Sequence, residues 1–276
     1  APKDDVRAWL ETAAPGRYVA KGNHGLAGIG QLRFAIAARE NAAGAAETAE
    51  RARVAAALRK ISARHGGLVV EEELEIVREW GVLFRLGRDG RRSPLRRHGL
   101  LSGPSGGYAG ALVLPAHAAQ GEALWNAHAA EAVRVIDGVA RALHGAGYFG
   151  PVGVDMFVHR RGERRQVRPL VDLNARQSMA WPAHGLAARF PDKAVLFRQY
   201  PAKAFQSLRD GDFSALRRVE TFDGTSGRGA ILLTPLLPLT RVSFAFVGDD
   251  EADVSAQHEH LLAALSTLAL ESGKDA

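Results

Sequence analysis

Three polar side chains occupy alternate positions at the end of an otherwise apolar run, RPLVDLNARQSMAW at residues 168–181. Asp172 and Asn174 offer oxygen atoms, and Arg176 offers a fixed positive charge. Alternate side chains of a β-strand point to the same face of its sheet, so these groups would converge on one patch. A patch of this composition can bind a metal ion together with an anion.

A further acidic residue, Asp155, lies in the middle of the preceding apolar run, VGVDMFVH at residues 152–159. The polar segment RRGER separates the two runs, which predicts an antiparallel hairpin. Facing residues would then have numbers that sum to about 327, and this pairs Asp155 with Asp172. Two facing carboxylates repel each other unless a positive charge lies between them.

Carboxylate and amide oxygens are the ligands that hard divalent cations prefer, with nucleotide phosphates completing the shell. The pattern therefore predicts a metal site at Asp155, Asp172 and Asn174, with Mg²⁺ as the ion and Mn²⁺ as a second choice. The alternative is that Asp172 and Asn174 only begin a turn and cap the following helix. That alternative does not explain Asp155, which lies between two apolar residues of its strand.

Helices and strands alternate along the chain and predict an α+β protein. We expect helices at 5–13, 45–64 and 121–147, strands at 17–21, 68–74, 152–159 and 165–174, and a hairpin that starts at 80–87. Four glycines between 22 and 30 predict a loop, and LLSGPSGGYAG at 100–110 predicts a loose segment. The C-terminal part from residue 225 predicts two strands and a helix.

The chain of 276 residues carries a net charge of +6 and has a pI near 10.0, which raises the question of nucleic-acid binding. Two arginine clusters contribute, at 87–98 and 159–168, but both fall at predicted turns and contain no interleaved aromatic residues. We therefore expect no nucleic-acid partner. Cysteine is absent, which excludes disulfides and a cysteine nucleophile. No apolar run is long enough to cross a bilayer, so we expect no membrane partner and a cytoplasmic location.

Four segments, in this order, resemble the ATP-grasp superfamily: YVAKGNHGLAGIG, LVVEEEL, GYFGPVGVDMFVHRR and VRPLVDLNAR. The resemblance spans roughly residues 15–190. It includes the family's closing motif of an acidic residue, Asn and Arg at alternate positions, here Asp172, Asn174 and Arg176. The resemblance implies an ATP-grasp fold, in which two α+β subdomains with mostly antiparallel sheets clasp the nucleotide. The small subdomain would span residues 1–74 and the large one residues 75–276.

The resemblance also implies roles for residues that bind ATP. Lys21 would neutralise the α- and β-phosphates, and backbone N–H groups of the loop at Gly25, Gly28 and Gly30 would cover the β- and γ-phosphates. A hinge would meet the adenine, and a further acidic residue would bind the ribose hydroxyls. The hinge residues are Glu71, Glu72 and Leu74, and the ribose residue is Glu79.

The activity implied is that of an ATP- and Mg²⁺-dependent ligase, which joins a carboxylate to an amine through an acyl phosphate. The carboxylate would belong to a small molecule or a peptide. Arg176 and Lys21 would be the catalytic residues, and Asp155, Asp172 and Asn174 would hold the metal. The second hypothesis is an ATP-binding module of a larger protein that no longer catalyses.

Three departures from the family bear on this choice. Asp172 stands where Glu is usual, and Gly153 stands where several members carry a basic residue. No N-terminal domain with a second phosphate-binding lysine precedes Lys21, and the first residue is Ala rather than Met. We therefore expect either the C-terminal part of a longer protein or a chain without the usual substrate-binding half. A homodimer is compatible with the resemblance.

Overall fold

The computed structural model describes residues 3–23, 31–38, 45–103, 107–120, 122–201, 221–233 and 241–272. The chain divides into two compact units. The first unit comprises Ala1–Glu75 and Ser102–Tyr108, and the second comprises Ile76–Leu101 and Ala109–Ala276. Both units combine helices with antiparallel sheets, which confirms the predicted α+β class. No helix in the described ranges is long and apolar enough to cross a membrane.

The first unit contains a three-stranded antiparallel sheet of order β2-β1-β3 and two helices. Its elements are α1 (Lys3–Thr12), β1 (Gly16–Gly22), β2 (Gln31–Ile36), α2 (Ala45–His65) and β3 (Leu68–Glu72).

One face of this sheet forms the core of the first unit. Ala20 and Ile36 are buried there against Val6 of α1 and Leu58 of α2. Because side chains alternate along β1, Lys21 lies on the opposite face of the sheet from Ala20. Burial of the apolar face thus leaves a polar face that carries Lys21.

The second unit is built on an eight-stranded sheet of order β10-β11-β9-β6-β5-β4-β7-β8. Its strands are β4 (Glu75–Leu86), β5 (Arg96–Ser102), β6 (Tyr108–Val113), β7 (Gly150–Arg161), β8 (Arg164–Asn174), β9 (Ala194–Pro201), β10 (Gly229–Leu232) and β11 (Arg241–Gly248). Its helices are α3 (Ala116–Gln120), α4 (Ala123–Asn126), α5 (Ala129–Gly145), α6 (Trp181–Ala187) and α7 (Glu251–Ser272).

Helix α5 covers one face of the β4–β7 half of this sheet. Alternate residues of β7, including Val152 and Val154, pack with Phe84 of β4 against Ile136 of α5, and all four are fully buried. Fully burying such side chains contributes about 1.5–3 kcal/mol each. Because the alternation fixes this face of β7 in the core, Asp155 must lie on the other face.

A second cluster lies at the other end of the sheet, between β9, β11 and α7. Phe244 and Phe246 of β11 are fully buried there against Val254 and Leu261 of α7. This confirms the C-terminal prediction of two strands and a helix.

Two predictions of secondary structure were wrong. Both ends of the segment at 100–110, which was predicted to be loose, lie in strands, because β5 extends to Ser102 and β6 begins at Tyr108. Residues 104–106 lie outside the described residues. Gly110 belongs to a packed strand, since it lies opposite Arg198 in the β6–β9 pairing. The single helix at 121–147 is instead divided into α4 and α5 by a turn at 127–128. Strand β9 was not predicted at all.

Gly110 gives a test of the sheet packing. A Cβ atom there would overlap the backbone carbonyl oxygen of Phe197, which cannot rotate away. We expect Gly110→Ala to lower the free energy of unfolding by about 1–3 kcal/mol in chemical denaturation. Gly138→Ala in α5 is the matched control, because only Arg141 comes within 4 Å of its added methyl group. The control should raise stability by up to about 1 kcal/mol. Equal effects of the two changes would contradict the close packing of Gly110 against Phe197.

Candidate nucleotide and metal site

The hairpin of β7 and β8 places the two aspartates opposite each other. Asp155 pairs with Asp172, and Gly153 pairs with Asn174. Near the turn, however, the facing residues are Arg161 and Arg164, and the pairing shifts between Asp155 and Phe157. The predicted pairing is therefore confirmed, although β8 contains two more residues than a regular hairpin would have at this point.

The local sequence provides a reason for this irregularity. Pro169 lies in the shifted part of β8, between Arg168, which pairs with Phe157, and Asp172. Proline has no N–H group to donate, so a proline at a hydrogen-bonding position interrupts the pairing with the neighbouring strand. Because the excess is two residues, it preserves the alternation of faces and keeps Asp172 on the face of Asp155.

Asp155 is the group most affected by this arrangement. Burial raises the pKa of Asp155 to about 7, with further contributions from the negative charges of Asp172 and Glu79. Arg176 opposes this rise with its positive charge. The sequence argument considered only repulsion between the two aspartates, whereas burial is the largest cause of the raised pKa. A cation at this point would offset all three effects.

Asn174 completes a set of oxygen ligands that suits Mg²⁺. Its Nδ2 donates a hydrogen bond of 3.0 Å to Oδ2 of Asp172, which holds the amide group beside that carboxylate. Two carboxylates and one amide match the preference of Mg²⁺ for few protein ligands and additional water or phosphate oxygens. Among the described residues, no group of three or more His, Cys, Asp or Glu side chains is arranged to hold a metal ion.

The helix-capping alternative does not fit the structure. Helix α6 begins at Trp181, its N-cap residue is Ala180, and no side chain caps it. Asp172 and Asn174 therefore have no role at its N-terminus.

Two other predicted site residues also lie close enough to influence Asp155. Glu79 of β4, which we expected at the ribose, is one of the charges that raise the pKa of Asp155. Arg176, in the segment that follows β8, is the positive charge that lowers it. The structure thus brings Glu79 and Arg176 together with the paired aspartates.

Gly153 is buried beside the paired aspartates. A Cβ atom at this position would lie at ordinary contact distances, 3.4 Å from both Leu83 and Ser178 and 3.6 Å from Asn174. The structure gives no steric reason for the absence of a basic residue there. Ser178 Oγ is itself buried and has no hydrogen-bond partner among the described residues.

In the first unit, Lys21 and Glu71 form an ion pair. Nζ of Lys21 lies 2.5 Å from Oε2 of Glu71 on the polar face of the small sheet. Glu71 was expected at the adenine hinge, but its carboxylate contacts the lysine that we assigned to the phosphates. The side chain of Glu72 is exposed, and Leu74 lies between β3 and β4. Gly25, Gly28 and Gly30 lie outside the described residues.

Sequence reasoning missed a buried histidine pair. His98 of β5 and His184 of α6 are 3% and 6% exposed, and His184 Nε2 lies 3.1 Å from His98 Nδ1. Burial lowers the pKa of His98 to about 3 and that of His184 to about 4. His98 faces Gly81 across the β4–β5 pairing, and a Cβ at Gly81 would overlap its ring.

The fold has close counterparts among solved structures. An N5-carboxyaminoimidazole synthetase from Staphylococcus aureus complexed with ADP has 14% sequence identity and a TM-score of 0.55, and the match covers 95% of this chain. A biotin carboxylase–βγ-ATP complex from Campylobacter jejuni has 10% identity and a TM-score of 0.55, with 96% of this chain covered. The chain spans 64% and 60% of these two proteins, respectively.

These similarities show that the chain has the ATP-grasp fold, as the sequence motifs predicted. The fold is shared with proteins of little sequence similarity. No protein-family model matches the sequence, and neither does any curated protein.

The raised pKa of Asp155 predicts that removing this carboxylate changes the stability of the protein in a pH-dependent way. The group binds its proton more tightly in the folded protein than in the unfolded chain, where the pKa is near 3.8. Its contribution to stability is therefore present below pH 4 and is lost as the pH rises to about 7. Asp155→Asn should stabilise the metal-free protein, with a gain that grows between pH 4 and 7 and then levels off at roughly 1–3 kcal/mol. Denaturation at several pH values measures this gain.

Asp192→Asn provides the control for that series. Asp192 is exposed in a turn of the same unit, so its substitution removes the same charge without relieving burial. The raised pKa of Asp155 would be contradicted if the gain in stability of Asp155→Asn did not vary with pH, or if the control showed the same gain.

The histidine pair predicts a second pH effect, of opposite sign. Because the pKa values of His98 and His184 are lowered, their contribution to stability is complete above pH 6.5 and is lost as the pH falls toward 4. Both rings should remain neutral in the folded protein at pH 5. Nitrogen-15 chemical shifts of the two rings measure this directly, and protonation of either ring near pH 6 would refute it.

Proposed function

We propose that this chain carries out ATP- and Mg²⁺-dependent ligation of a carboxylate to an amine through an acyl phosphate. The observation that carries the proposal is the pairing of Asp155 with Asp172, with Asn174 hydrogen-bonded beside them, on an ATP-grasp fold. The nucleotides in the two matched structures support it: the synthetase is complexed with ADP, and the biotin carboxylase is a βγ-ATP complex.

In the second unit, Asp155, Asp172 and the amide oxygen of Asn174 would hold Mg²⁺. A bound Mg²⁺ would supply positive charge that neutralises the phosphate oxygens. Glu79 was a candidate for the ribose hydroxyls, but its influence on Asp155 favours a different role. We assign Glu79 to the negative potential that attracts the cation.

In the first unit, Lys21 would bind the α- and β-phosphates of ATP. Its ion pair with Glu71 restricts a flexible side chain to the polar face of the sheet, so Glu71 would position Lys21 rather than meet the adenine. Glu72 and Leu74 remain the candidates for the adenine hinge. Backbone N–H groups of the loop at Gly25, Gly28 and Gly30 would cover the terminal phosphates.

The reaction would proceed in two displacements. An oxygen of the substrate carboxylate attacks the γ-phosphorus of ATP, and the bond to ADP breaks. The amine then attacks the acyl carbon, loses a proton and expels inorganic phosphate. Arg176 would stabilise the negative charge on the transferred phosphoryl group. No protein nucleophile is required, so positioning and electrostatics would supply the catalysis.

The two compact units would serve as the small and large ATP-grasp subdomains. The carboxylate and amine would come from small molecules or peptides, in a cytoplasmic protein that acts alone or as a homodimer.

Asp172→Asn tests the metal site. Asp172 is exposed, so the change should cost little stability in the metal-free protein. It removes one ligand and half of the paired negative charge, so Mg·ATP should bind at least about tenfold more weakly. The measurement is a thermal-shift titration with ATP in the presence of Mg²⁺ or EDTA, together with ADP release in the presence of carboxylates and amines.

Asp192→Asn again removes one exposed negative charge and should leave the response to Mg·ATP unchanged. An unchanged response in Asp172→Asn would reject the metal site. If the protein binds Mg·ATP but releases no ADP in the presence of any carboxylate and amine, the non-catalytic module is favoured instead.

A further inference from the structure

The tip of the β7–β8 hairpin concentrates positive charge. Across the hairpin, Arg160 pairs with Arg165 and Arg161 pairs with Arg164, while Arg168 follows on β8. We call these five residues the arginine tip. Like charges directly opposite each other in an antiparallel pair are destabilising. The hairpin therefore forms in spite of the charge pattern at its tip.

Within the described part of the chain, few acidic side chains neutralise this positive charge. Arg161, Arg164, Arg165 and Arg168 form no ion pair with any described acidic residue, and all four side chains are exposed. The only acidic residue of the turn, Glu163, is exposed as well. By contrast, Arg78, Arg92 and Arg97 of the same unit each form ion pairs with described carboxylates. Arg161, Arg164, Arg165 and Arg168 of the arginine tip thus keep their charges available.

The same strand also has an open edge. Among the described strands, β8 has a neighbour on one side only, because it is the last strand of the eight-stranded sheet. Beyond the arginines, Leu170, Val171 and Leu173 are 44%, 43% and 40% exposed. An open edge with apolar side chains is a template for another strand.

The positive charge and the exposed apolar side chains indicate which kind of partner this edge can bind. A second β8 strand would bring another arginine tip to the interface, and natural proteins use such charges to prevent pairing between copies. A nucleic acid would match the positive charge but would leave the three exposed aliphatic side chains without a partner, and β8 has no aromatic side chain for base stacking. An extended polypeptide with acidic and apolar residues matches both the charge and the edge.

We propose that the β8 edge binds an acidic, extended segment of a partner protein by strand addition. Main-chain hydrogen bonds to β8 and contacts with Leu170, Val171 and Leu173 supply the attachment. The arginine tip supplies charge complementarity, which speeds association and excludes basic segments. This proposal does not depend on the ligase activity.

A fluorescein-labelled ten-residue peptide of alternating Glu and Val tests the proposal in fluorescence anisotropy. It should bind the full chain saturably, and Arg164→Glu combined with Arg165→Glu should weaken binding at least tenfold. Val171→Ser should weaken it severalfold without changing the charge. The matched control is Arg189→Glu combined with Arg241→Glu, which reverses two exposed charges away from the β8 edge. The control should bind the peptide as the wild type does.

Two further probes distinguish strand addition from attraction by charge alone. A peptide of alternating Glu and Pro has the same charge but cannot pair as a strand, so it should bind at least tenfold more weakly. Equal binding of both peptides, tighter binding of a twelve-residue uridine oligonucleotide, or no peptide binding would each overturn the proposal. The Mg·ATP thermal shift should be unchanged in the Arg164→Glu, Arg165→Glu variant, which separates this result from that of the metal site.

Discussion

The alternation of faces along β7 is the constraint on which the candidate site depends. Val152, Val154, Met156 and Val158 are all buried in one core, and their burial fixes which face of the strand meets α5. A slip of one residue would exchange the two faces and expose that core. Asp155 therefore lies on the opposite face whether or not a ligand is present. The hydrophobic core, rather than any polar contact, determines where this carboxylate points.

That position is electrostatically unfavourable for the isolated protein. Asp155 is half-buried and meets the charges of Asp172 and Glu79, while Arg176 supplies the only opposing charge among the causes of its pKa shift. Such an arrangement lowers the stability of the apo state at neutral pH. Functional sites commonly combine burial with charges of one sign, because the bound ion or substrate then supplies the compensation. The same geometry that destabilises the empty site would thus favour binding of a cation.

The sequence predicted the elements with strong periodicity and missed those without it. The apolar alternation of β7 and the turn after it were sufficient to pair Asp155 with Asp172. The helix at 45–64 was found within one residue of α2. Strand β6 was missed because Tyr108–Val113 consists largely of small residues and glycine, whose conformation depends on neighbours distant in sequence. The pairing of His98 with His184 joins residues 86 positions apart, so no local pattern could reveal it.

The pairing of the aspartates also shows how a correct prediction can rest on an incomplete reason. Simple counting from one turn assumed a regular hairpin, whereas the turn pairs Arg161 with Arg164 and the pairing later shifts near Pro169. An irregularity of one residue would have placed Asp172 on the core face, where an unpaired carboxylate is strongly disfavoured. An excess of two residues instead preserves the face of Asp172. Strand β8 thus combines two features: its end carries one of the facing carboxylates, and, among the described strands, its basic edge has a neighbour on one side only.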